Sequence, residues 1–210
     1  MATQKIGRQS RPKSRERAAD LMAAAIDLFA ERDYASVTIS DIARRAGVTH
    51  SLVYYHFDNK DDLFHRSVSD LIDNTLKSYQ ELGKRHGNPV ELIEDWFDNN
   101  IKLSRVLRKL VKIMFEYAGP RNGPASVANA IEAFYEQELQ IISRNVKRGI
   151  AEEYFDAVDA DRIAAFVSTH IDGIFYDSFI RSKDDMTSAM NDLKWVLWKL
   201  LGYTPKGSDQ

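Results

Sequence analysis

Apolar residues recur every three to four positions along most of this chain, which is the spacing of one face of an α-helix. Strict alternation of apolar and polar residues, the mark of a half-buried strand, does not occur over any segment. The pattern therefore predicts an all-α fold of about nine helices. We expect these helices over residues 14–32, 38–45, 49–56, 60–83, 90–104, 105–118, 125–148, 159–181 and 184–201.

Residues 38–57 have the form of two short helices joined by a tight turn. Thr38 can cap the first helix, and Asp41, three residues later, completes a capping box. Gly47 follows the point where the first helix must stop, because glycine accepts a left-handed backbone. Thr49 is placed to cap the second helix. This layout is that of a helix-turn-helix, which inserts its second helix into a DNA groove.

The second helix of this motif is polar and aromatic on one side. Leu52 and Val53 are expected to point inward or sideways. The open face then consists of Thr49, His50, Ser51, Tyr54 and Tyr55. The alternative is that the segment is only one corner of a helical bundle. A core helix would carry Leu or Ala at such positions, so the two adjacent tyrosines and the histidine favour recognition over packing.

Four short runs in and after this motif resemble a known family when they are taken in their order and spacing. They are Asp41-Ile42-Ala43, Ala46-Gly47-Val48, Tyr54-Tyr55-His56-Phe57 and Asn59-Lys60. The stretch from Arg17 to about Asp73 is similar to the amino-terminal domain of TetR/AcrR-type helix-turn-helix transcriptional regulators. The charge pattern and the resemblance together lead us to expect four parts: a basic flexible arm over 1–13, a DNA-binding domain over 14–75, a helical effector-binding and dimerisation domain over 76–203, and a tail over 204–210.

The resemblance and the open face together give a set of candidate DNA contacts. They are Thr38, Ser40, Arg44, Thr49, His50, Ser51, Tyr54, Tyr55, His56 and Lys60. We expect His50 and Ser51 to read base edges in the major groove, with Arg44 reaching the same groove from the first helix. Phosphate contacts that fix the register are expected from Thr38, Tyr54, Tyr55, His56 and Lys60.

Charge is distributed unevenly along the chain. The net charge is −2 at pH 7, which alone does not indicate a nucleic-acid partner. Residues 1–17, however, contain only one acidic residue, Glu16, against the basic residues Lys5, Arg8, Arg11, Lys13, Arg15 and Arg17. Such an arm can neutralise phosphates or enter a groove beside the main contact. The alternative is a solvated, disordered tail, and both descriptions hold if the arm becomes ordered only on DNA.

The last two predicted helices are apolar over more than one face, so each must bury two faces. The resemblance implies that they form a four-helix interface with a second copy of the chain. Phe179, Trp195 and Trp198 are the expected anchors, since large aromatic residues dominate interface energetics. The alternative is that both faces pack inside one subunit. A two-fold dimer would suit a palindromic operator.

Aromatic and methionine residues are scattered over the middle helices, and the resemblance implies that these helices enclose an inducer pocket. The candidate lining residues are Trp96, Phe97, Met114, Phe115, Tyr117, Tyr135, Phe166 and His170. Such residues suit an adaptable apolar cavity. Ordinary core packing explains any one of them equally well.

Composition and motifs exclude several other classes of protein. The chain has no cysteine, so it forms no disulfide or thiolate metal site, and no metal or cofactor is expected. It contains no glycine-rich phosphate loop, no Gly-x-Ser-x-Gly elbow and no His-Glu-x-x-His, which argues against an enzyme. No apolar run reaches 18 residues, so we expect no membrane partner and a cytoplasmic location.

These observations predict a homodimeric repressor that binds a palindromic operator in double-stranded DNA and is released by a small, largely apolar ligand. Two alternatives stay open. One is a helical ligand-binding protein or enzyme whose amino-terminal domain only mediates protein contacts. The other is a regulator that has no effector.

Overall fold

The computed structural model describes residues 10–83, 87–117, 125–181 and 185–205, and it describes their side chains except at 10–13, 83, 117, 125 and 126. These residues form helices and no strand, as the hydrophobic pattern predicts. The α-helices are α1 (Ser10–Glu31), α2 (Ile39–Arg45), α3 (His50–His56), α4 (Lys60–Gly83), α5 (Pro89–Lys102), α6 (Ser104–Tyr117), α7 (Ala125–Ala151), α8 (Ala160–Ile180) and α9 (Met186–Leu200). A 3-10 turn, Tyr34–Ser36, links α1 to α2.

The ends of these helices lie close to the predicted ones, with one difference that matters for the arm. α1 begins at Ser10, so residues 10–13 are helical. From the sequence we expect them to belong to a flexible arm instead. Residues 1–9 lie outside the described part of the chain.

The chain divides into two compact units, one up to Asp70 and one from Leu71 onward. This division falls within α4, and the expected domain boundary after residue 75 falls in the same helix. Each unit has its own buried residues.

The first unit is built around a small aromatic and aliphatic core. Phe29 of α1 packs edge-on against Phe64 of α4, with ring centroids 4.8 Å apart. Ile42 of α2 and Val53 of α3 are both fully buried. An ion pair between Arg45 and Glu31 adds a polar link from α2 to α1, with a shortest distance of 2.6 Å. α2 packs against both α1 and α3. The burial of Val53 on one side of α3 leaves its other side open.

The second unit is a bundle of long helices in which α7 packs along α8 and α8 packs along α9. Its core includes Phe97 of α5, Leu110 and Ile113 of α6, and Phe175 of α8, all with at most 1% of their surface exposed. α5 begins at a capping box in which Asn88 accepts from the N–H of Glu91 at 3.0 Å. Among the described residues, none of the helices has the length and apolar character needed to cross a membrane.

Trp198 of α9 is part of this core and not of an outer surface. Only 3% of it is exposed. Its indole Nε1 donates to Glu94 of α5 at 3.2 Å, and its ring lies against Phe155 and Tyr203. The expectation that Trp198 anchors a subunit interface is therefore wrong, because α5 and the α7–α8 connection already cover it.

The chain turns sharply just after α9, and the turn closes over Trp198. Gly202 has a φ of +66°, a left-handed conformation. A Cβ at this position would lie 1.9 Å from the carboxylate of Asp156. The N–H of Asp156 donates to the carbonyl of Leu201 at 2.9 Å. The left-handed backbone favours glycine here, and a Cβ would also force the Asp156 side chain to move. The turn places Tyr203 on the indole ring.

Candidate nucleic-acid interface

The cap of α2 has the predicted chemistry. The hydroxyl of Thr38 accepts from the N–H of Asp41 at 3.1 Å, and the N–H of Thr38 donates to the Asp41 carboxylate at 3.1 Å. The Thr38 hydroxyl also donates to this carboxylate at 2.6 Å. These hydrogen bonds lower the pKa of Asp41, with a smaller contribution from Arg44. Both donors of Thr38 are thus used inside the cap, so its expected phosphate contact is not supported by the geometry.

The turn between α2 and α3 depends on one glycine. Gly47 has a φ of +66°, which a residue with a Cβ adopts only with strain. The N–H of Gly47 donates to the carbonyl of Arg44 at 3.2 Å, and the N–H of Val48 donates to the carbonyl of Ala43 at 2.9 Å. These two bonds satisfy carbonyls at the end of α2 and set the direction in which α3 starts.

Thr49 occupies the N-cap position of α3, as predicted, but its side chain makes no cap hydrogen bond. The N–H of Leu52 donates to the backbone carbonyl of Thr49 at 3.0 Å. The Thr49 hydroxyl is exposed and is left for an external partner.

α3 separates buried and exposed residues cleanly over two turns. Val53 is 0% exposed and Phe57, just after the helix, is 2% exposed. Tyr54 is 51% exposed and Tyr55 is 75% exposed. We use the term α3 surface for the exposed residues Thr49, His50, Ser51, Tyr54 and Tyr55. These are the same five residues that the sequence predicts on the open face.

Aromatic contacts order this α3 surface. The rings of His50 and Tyr54 meet edge to face with centroids 5.0 Å apart. The rings of Tyr55 and His56 do the same at 5.0 Å, and His56 is half-buried. Such contacts restrict the rings without using the Tyr54 and Tyr55 hydroxyls, which stay available to an acceptor.

Two exposed polar residues lie on α2, the helix that precedes this surface. The side chain of Arg44 is 76% exposed and forms an ion pair with Asp41. Ser40 is exposed. An exposed pair of this kind is weak, so the guanidinium of Arg44 can exchange Asp41 for a phosphate or a base edge.

Lys60 does not have the role expected from the sequence. Its ammonium donates to the carbonyls of Tyr34 at 2.9 Å and Val37 at 3.0 Å, and it lies 4.2 Å from the centre of the Tyr34 ring. Burial lowers the pKa of this lysine. Lys60 therefore ties the start of α4 to residues 34–37, and this geometry does not favour the expected phosphate contact.

Arg66 is a residue of this region that the sequence analysis does not single out. Its guanidinium donates to the carbonyl of His56 at 2.8 Å and lies 4.5 Å from the centre of the Phe57 ring. It thereby holds the end of α3 against α4. Asp62 lies four residues earlier on the same helix, and this spacing is a local sequence signal for an ordered arginine. The guanidinium of Arg66 lies 3.7 Å from the Asp62 carboxylate.

The basic arm is only partly described. Arg15 and Arg17 are exposed on α1, and Arg17 lies 3.7 Å from Asp20. Lys5 and Arg8, and the side chains of Arg11 and Lys13, lie outside the described residues. The phosphate contacts expected of this arm remain a prediction.

The candidate pocket residues are not brought together around one cavity. Trp96, Phe97 and Met114 are buried, as core residues are. Phe115 is 65% exposed beside Tyr176, with ring centroids 4.6 Å apart, and His170 is exposed and lies on Phe166 at 3.9 Å. Phe115 and His170 thus face outward, contrary to the expectation. The side chain of Tyr117 lies outside the described residues.

Tyr135 has a different role from the one expected, as part of a partly buried polar cluster. Its hydroxyl donates to Asp172 at 2.6 Å, and Ser168 donates to Glu138 at 2.6 Å. Glu138 is only 4% exposed. Burial, and to a lesser degree the charge of Asp172, raises the pKa of Glu138 to about 7, while the bond from Ser168 opposes that shift.

Glu138 is not among the site residues expected from the sequence, although the apolar pattern of α7 carries a signal for it. Position 138 lies one turn after Phe134 and one turn before Ile142, both buried on the same face of α7. An acidic residue on an apolar stripe is the pattern of a buried carboxylate.

The interface candidates separate into three environments. Trp195 is 62% exposed, with the ammonium of Lys199 5.7 Å from its ring. Phe179 is half-buried under the guanidinium of Arg108 at 4.5 Å. Trp198 is in the core, as described above. Only Trp195 of the three offers a large open aromatic surface.

Comparisons with known proteins match the first unit most strongly. The pattern of a family described as "Bacterial regulatory proteins, tetR family" matches residues 21–66. A helix-turn-helix transcriptional repressor of Mycobacterium tuberculosis is 51% identical over 57 residues, or 27% of this chain. The match spans only 30% of the length of that relative. The repressor KstR2 of the same species is 24% identical over 152 residues, which cover 72% of this chain and 76% of KstR2.

Solved structures match over most of the chain. A TetR-family transcriptional regulator from Agrobacterium tumefaciens gives a TM-score of 0.75 at 19% identity, covering 89% of this chain and 98% of that one. A gamma-butyrolactone receptor gives 0.70 at 20% identity, covering 89% and 88%. At these identities the likeness establishes the all-α fold alone. Both mycobacterial relatives are named as transcriptional repressors and not as enzymes, which agrees with the expectation from the sequence.

Proposed function

We propose that this chain, a member of the tetR family of bacterial regulatory proteins, binds duplex DNA through α3 and represses transcription in the cytoplasm. Family membership supports the DNA-binding role of the first unit, and the names of the two mycobacterial relatives support repression. The proposal also includes a palindromic operator, a homodimer and a small-molecule effector.

One observation carries the proposal: the α3 surface is exposed and rich in hydrogen-bonding groups, while Val53 on the opposite side of α3 is buried. Tyr54 and Tyr55 are 51% and 75% exposed, against 0% for Val53. Aromatic residues left open on a short helix bury little surface in the free protein. A nucleic-acid groove would bury them and accept their hydrogen bonds.

The roles within the α3 surface follow from position along the helix. His50 and Ser51 lie in the first turn, where a recognition helix meets base edges. Tyr54 and Tyr55 lie one turn later and would donate to phosphates, together with Thr49 at the N-cap. From α2, Arg44 would reach the groove and Ser40 would reach the backbone. His56 is half-buried, so it would lie at the edge of the contact and donate to a phosphate there.

The proposed assembly is a homodimer that places two copies of α3 on a palindromic operator. Trp195 supports this part of the proposal because it is 62% exposed on the last helix and because tryptophan is enriched among the residues that dominate interface energetics. Phe179 would lie at the margin of the same interface. A dimer doubles the number of phosphate contacts, which a seven-residue helix could not supply alone.

The second unit would hold a small-molecule effector whose binding releases the repressor from its operator. The support is the separation of the chain into two units, one with the α3 surface and one with a long helical bundle that contains cavities. The effector can weaken operator binding only if it binds the free protein more tightly than it binds the DNA-bound protein.

The test is selection of bound sequences from a random pool of duplexes with the full-length protein. We expect enrichment of one palindromic sequence, followed by specific binding in an anisotropy titration. Tyr55→Ala should weaken this binding about 10-fold or more, because a hydrogen bond to a charged group contributes about 1.5–3 kcal/mol. The matched control is Tyr154→Ala, which removes an exposed tyrosine of the second unit. No enrichment, or equal losses in both variants, would contradict the proposal.

A further inference from the structure

A cavity of about 460 Å³ opens in the second unit between α4, α5 and α7. This volume is in the range of sites that bind small molecules. It is lined by none of the residues in the α3 surface and by only one of the pocket candidates, Trp96. The chemistry of its walls indicates what it would bind.

One side of this cavity is apolar. Leu82 of α4, Leu92 of α5 and Ile141 of α7 line it, and the first two are at most 9% exposed. Aliphatic side chains at a cavity wall favour the hydrocarbon part of a ligand, because binding removes apolar surface from water.

The other side of the cavity is cationic. Arg144 and Arg148 of α7 line it and stand four residues apart, so they lie on the same face of the helix. Arg148 donates from Nε to Glu152 at 2.6 Å, which leaves the two terminal amino groups of its guanidinium for another acceptor. Within the described part of the chain, Arg144 has no ion-pair partner, and none of the residues lining the cavity is acidic.

Trp96 adds an independent indication of a missing partner. It lines the cavity, it is 4% exposed, and its indole Nε1 has no hydrogen-bond acceptor among the described residues. A buried N–H without an acceptor is uncommon and unfavourable. A ligand with an acceptor atom beside this indole would satisfy it.

We propose that this cavity binds an amphipathic anion. Arg144 and Arg148 would hold its carboxylate or phosphate group, and its apolar body would lie against Leu82, Leu92 and Ile141. Guanidinium groups suit both anions because they donate two parallel hydrogen bonds. This inference deepens the proposed function by assigning the chemical class of the effector, and it rests on that function only for the effect on DNA.

The test uses isothermal titration calorimetry of the full-length protein with four short probes that share one hydrocarbon chain. Octanoate and octyl phosphate are the anions, octanol is the neutral probe and octylamine is the cation. We expect one site per subunit for at least one of the anions, with binding at least about 10-fold tighter than for octanol or octylamine. The carboxylate and phosphate arms show which acid group the site prefers. Equal binding of all four probes, or binding of none, would overturn the inference.

Variants locate the anion site. Arg144→Gln should weaken binding of the preferred anion about 10-fold or more and leave octanol unchanged. The control is Arg162→Gln, which removes the same charge from an 89% exposed side chain at the start of α8. Ile141→Trp should fill the cavity and weaken every probe, while circular dichroism checks that the fold persists. Equal losses in Arg144→Gln and Arg162→Gln would show that binding reflects only net charge.

A DNA titration separates the two proposals. If the protein binds its selected operator but none of the anions, the cavity assignment fails and the DNA-binding function stands. If an anion binds through Arg144 and no operator is selected, the DNA-binding function fails and the cavity assignment stands.

Discussion

Ser168 of α8 donates a 2.6 Å hydrogen bond to the carboxylate of Glu138 on α7, and both side chains are buried. A carboxylate in such a place stays ionised only at a cost in free energy, because burial removes its hydration. The bond from Ser168 offsets part of that cost. The pKa of Glu138, at about 7, reflects the balance between the two.

This pKa predicts that the protein loses stability between about pH 4.5 and pH 7. In the unfolded chain Glu138 has its ordinary pKa, 4.5, so over this range the folded protein holds a proton that the unfolded chain has released. The free energy of unfolding therefore falls as pH rises, by on the order of 3 kcal/mol for this group. Thermal melts between pH 4.5 and pH 8 would measure the fall.

Two variants assign that fall to Glu138. Glu138→Gln should flatten the profile and raise the melting temperature at pH 8, where the wild-type carboxylate is charged. A smaller slope should remain, because burial also raises the pKa of Asp172. Ser168→Ala should steepen the profile, since it removes the bond that lowers the pKa of Glu138. A profile that is identical in the wild type and Glu138→Gln would contradict this account.

Operator binding should weaken steeply with salt. If six to ten phosphates are neutralised per dimer, log K against log[salt] should have a slope of roughly −5 to −9. Deleting residues 1–9 leaves α1 intact and removes Lys5 and Arg8, so the slope should become less negative by up to about 3 to 4 per dimer. Anisotropy titrations at several salt concentrations provide the slope. An unchanged slope after deletion would mean that the arm contacts no phosphate.

Base reading and phosphate anchoring should respond differently to substitution in the α3 surface. His50→Ala should alter base preference at one position per half-site, by about 1–3 kcal/mol. Tyr55→Phe removes only a hydroxyl and should weaken all sequences nearly alike. Titrations against a panel of single-base operator variants would separate the effects. A uniform loss in both variants would refute the assignment of roles.

The two tryptophans of α9 should behave in opposite ways. Trp195→Glu should dissociate the dimer while helicity is kept, because it replaces the apolar anchor in each half of the proposed interface with a charged side chain that would lose its hydration there. Trp198→Ala should lower the stability of the subunit by about 3–5 kcal/mol. Light scattering and thermal melts measure these two effects, and Tyr154→Glu is the control for an exposed aromatic elsewhere. A folded Trp195→Glu dimer would place the interface on another surface.

Lys60 should matter for stability and not for salt dependence. Lys60→Met removes two bonds to carbonyls and should lower the free energy of unfolding by about 1–3 kcal/mol. Lys77→Met, at an exposed position of the same helix, should change it by less than about 0.5 kcal/mol. Denaturant titrations give these values. A flatter salt slope for Lys60→Met would restore the phosphate contact that the structure argues against.

Features held together by neighbours in sequence are predictable from sequence. The capping box of Thr38 and Asp41 spans one turn, and the bond from the N–H of Asp62 to Asn59 at 2.8 Å does the same. The open face of α3 also follows from the spacing of polar and apolar residues over two helical turns. Each of these depends on local geometry, which residue type and spacing largely determine.

Features that depend on distant helices are not predictable in this way. Trp195 and Trp198 stand three residues apart and have the same residue type, yet α5 covers one and leaves the other open. The partner of Trp198, Glu94, lies 104 residues away in sequence. Periodicity identifies an apolar face but not which element covers it. The same limit explains why Lys60, with two carbonyl partners more than 20 residues away, looks like a free cation.

On α3, the residues that stabilise the fold differ from the residues proposed to contact DNA. This separation affects how such a regulator can diverge after gene duplication. Val53 and Phe57 contribute to the folding of the first unit, whereas the exposed tyrosines, the histidine and the hydroxyl residues contribute little to it. Substitutions at the exposed positions are therefore nearly neutral for stability. A protein whose free energy of unfolding is about 5–15 kcal/mol can accept several of them. A duplicated gene can thus acquire a new operator without compensating mutations in the core.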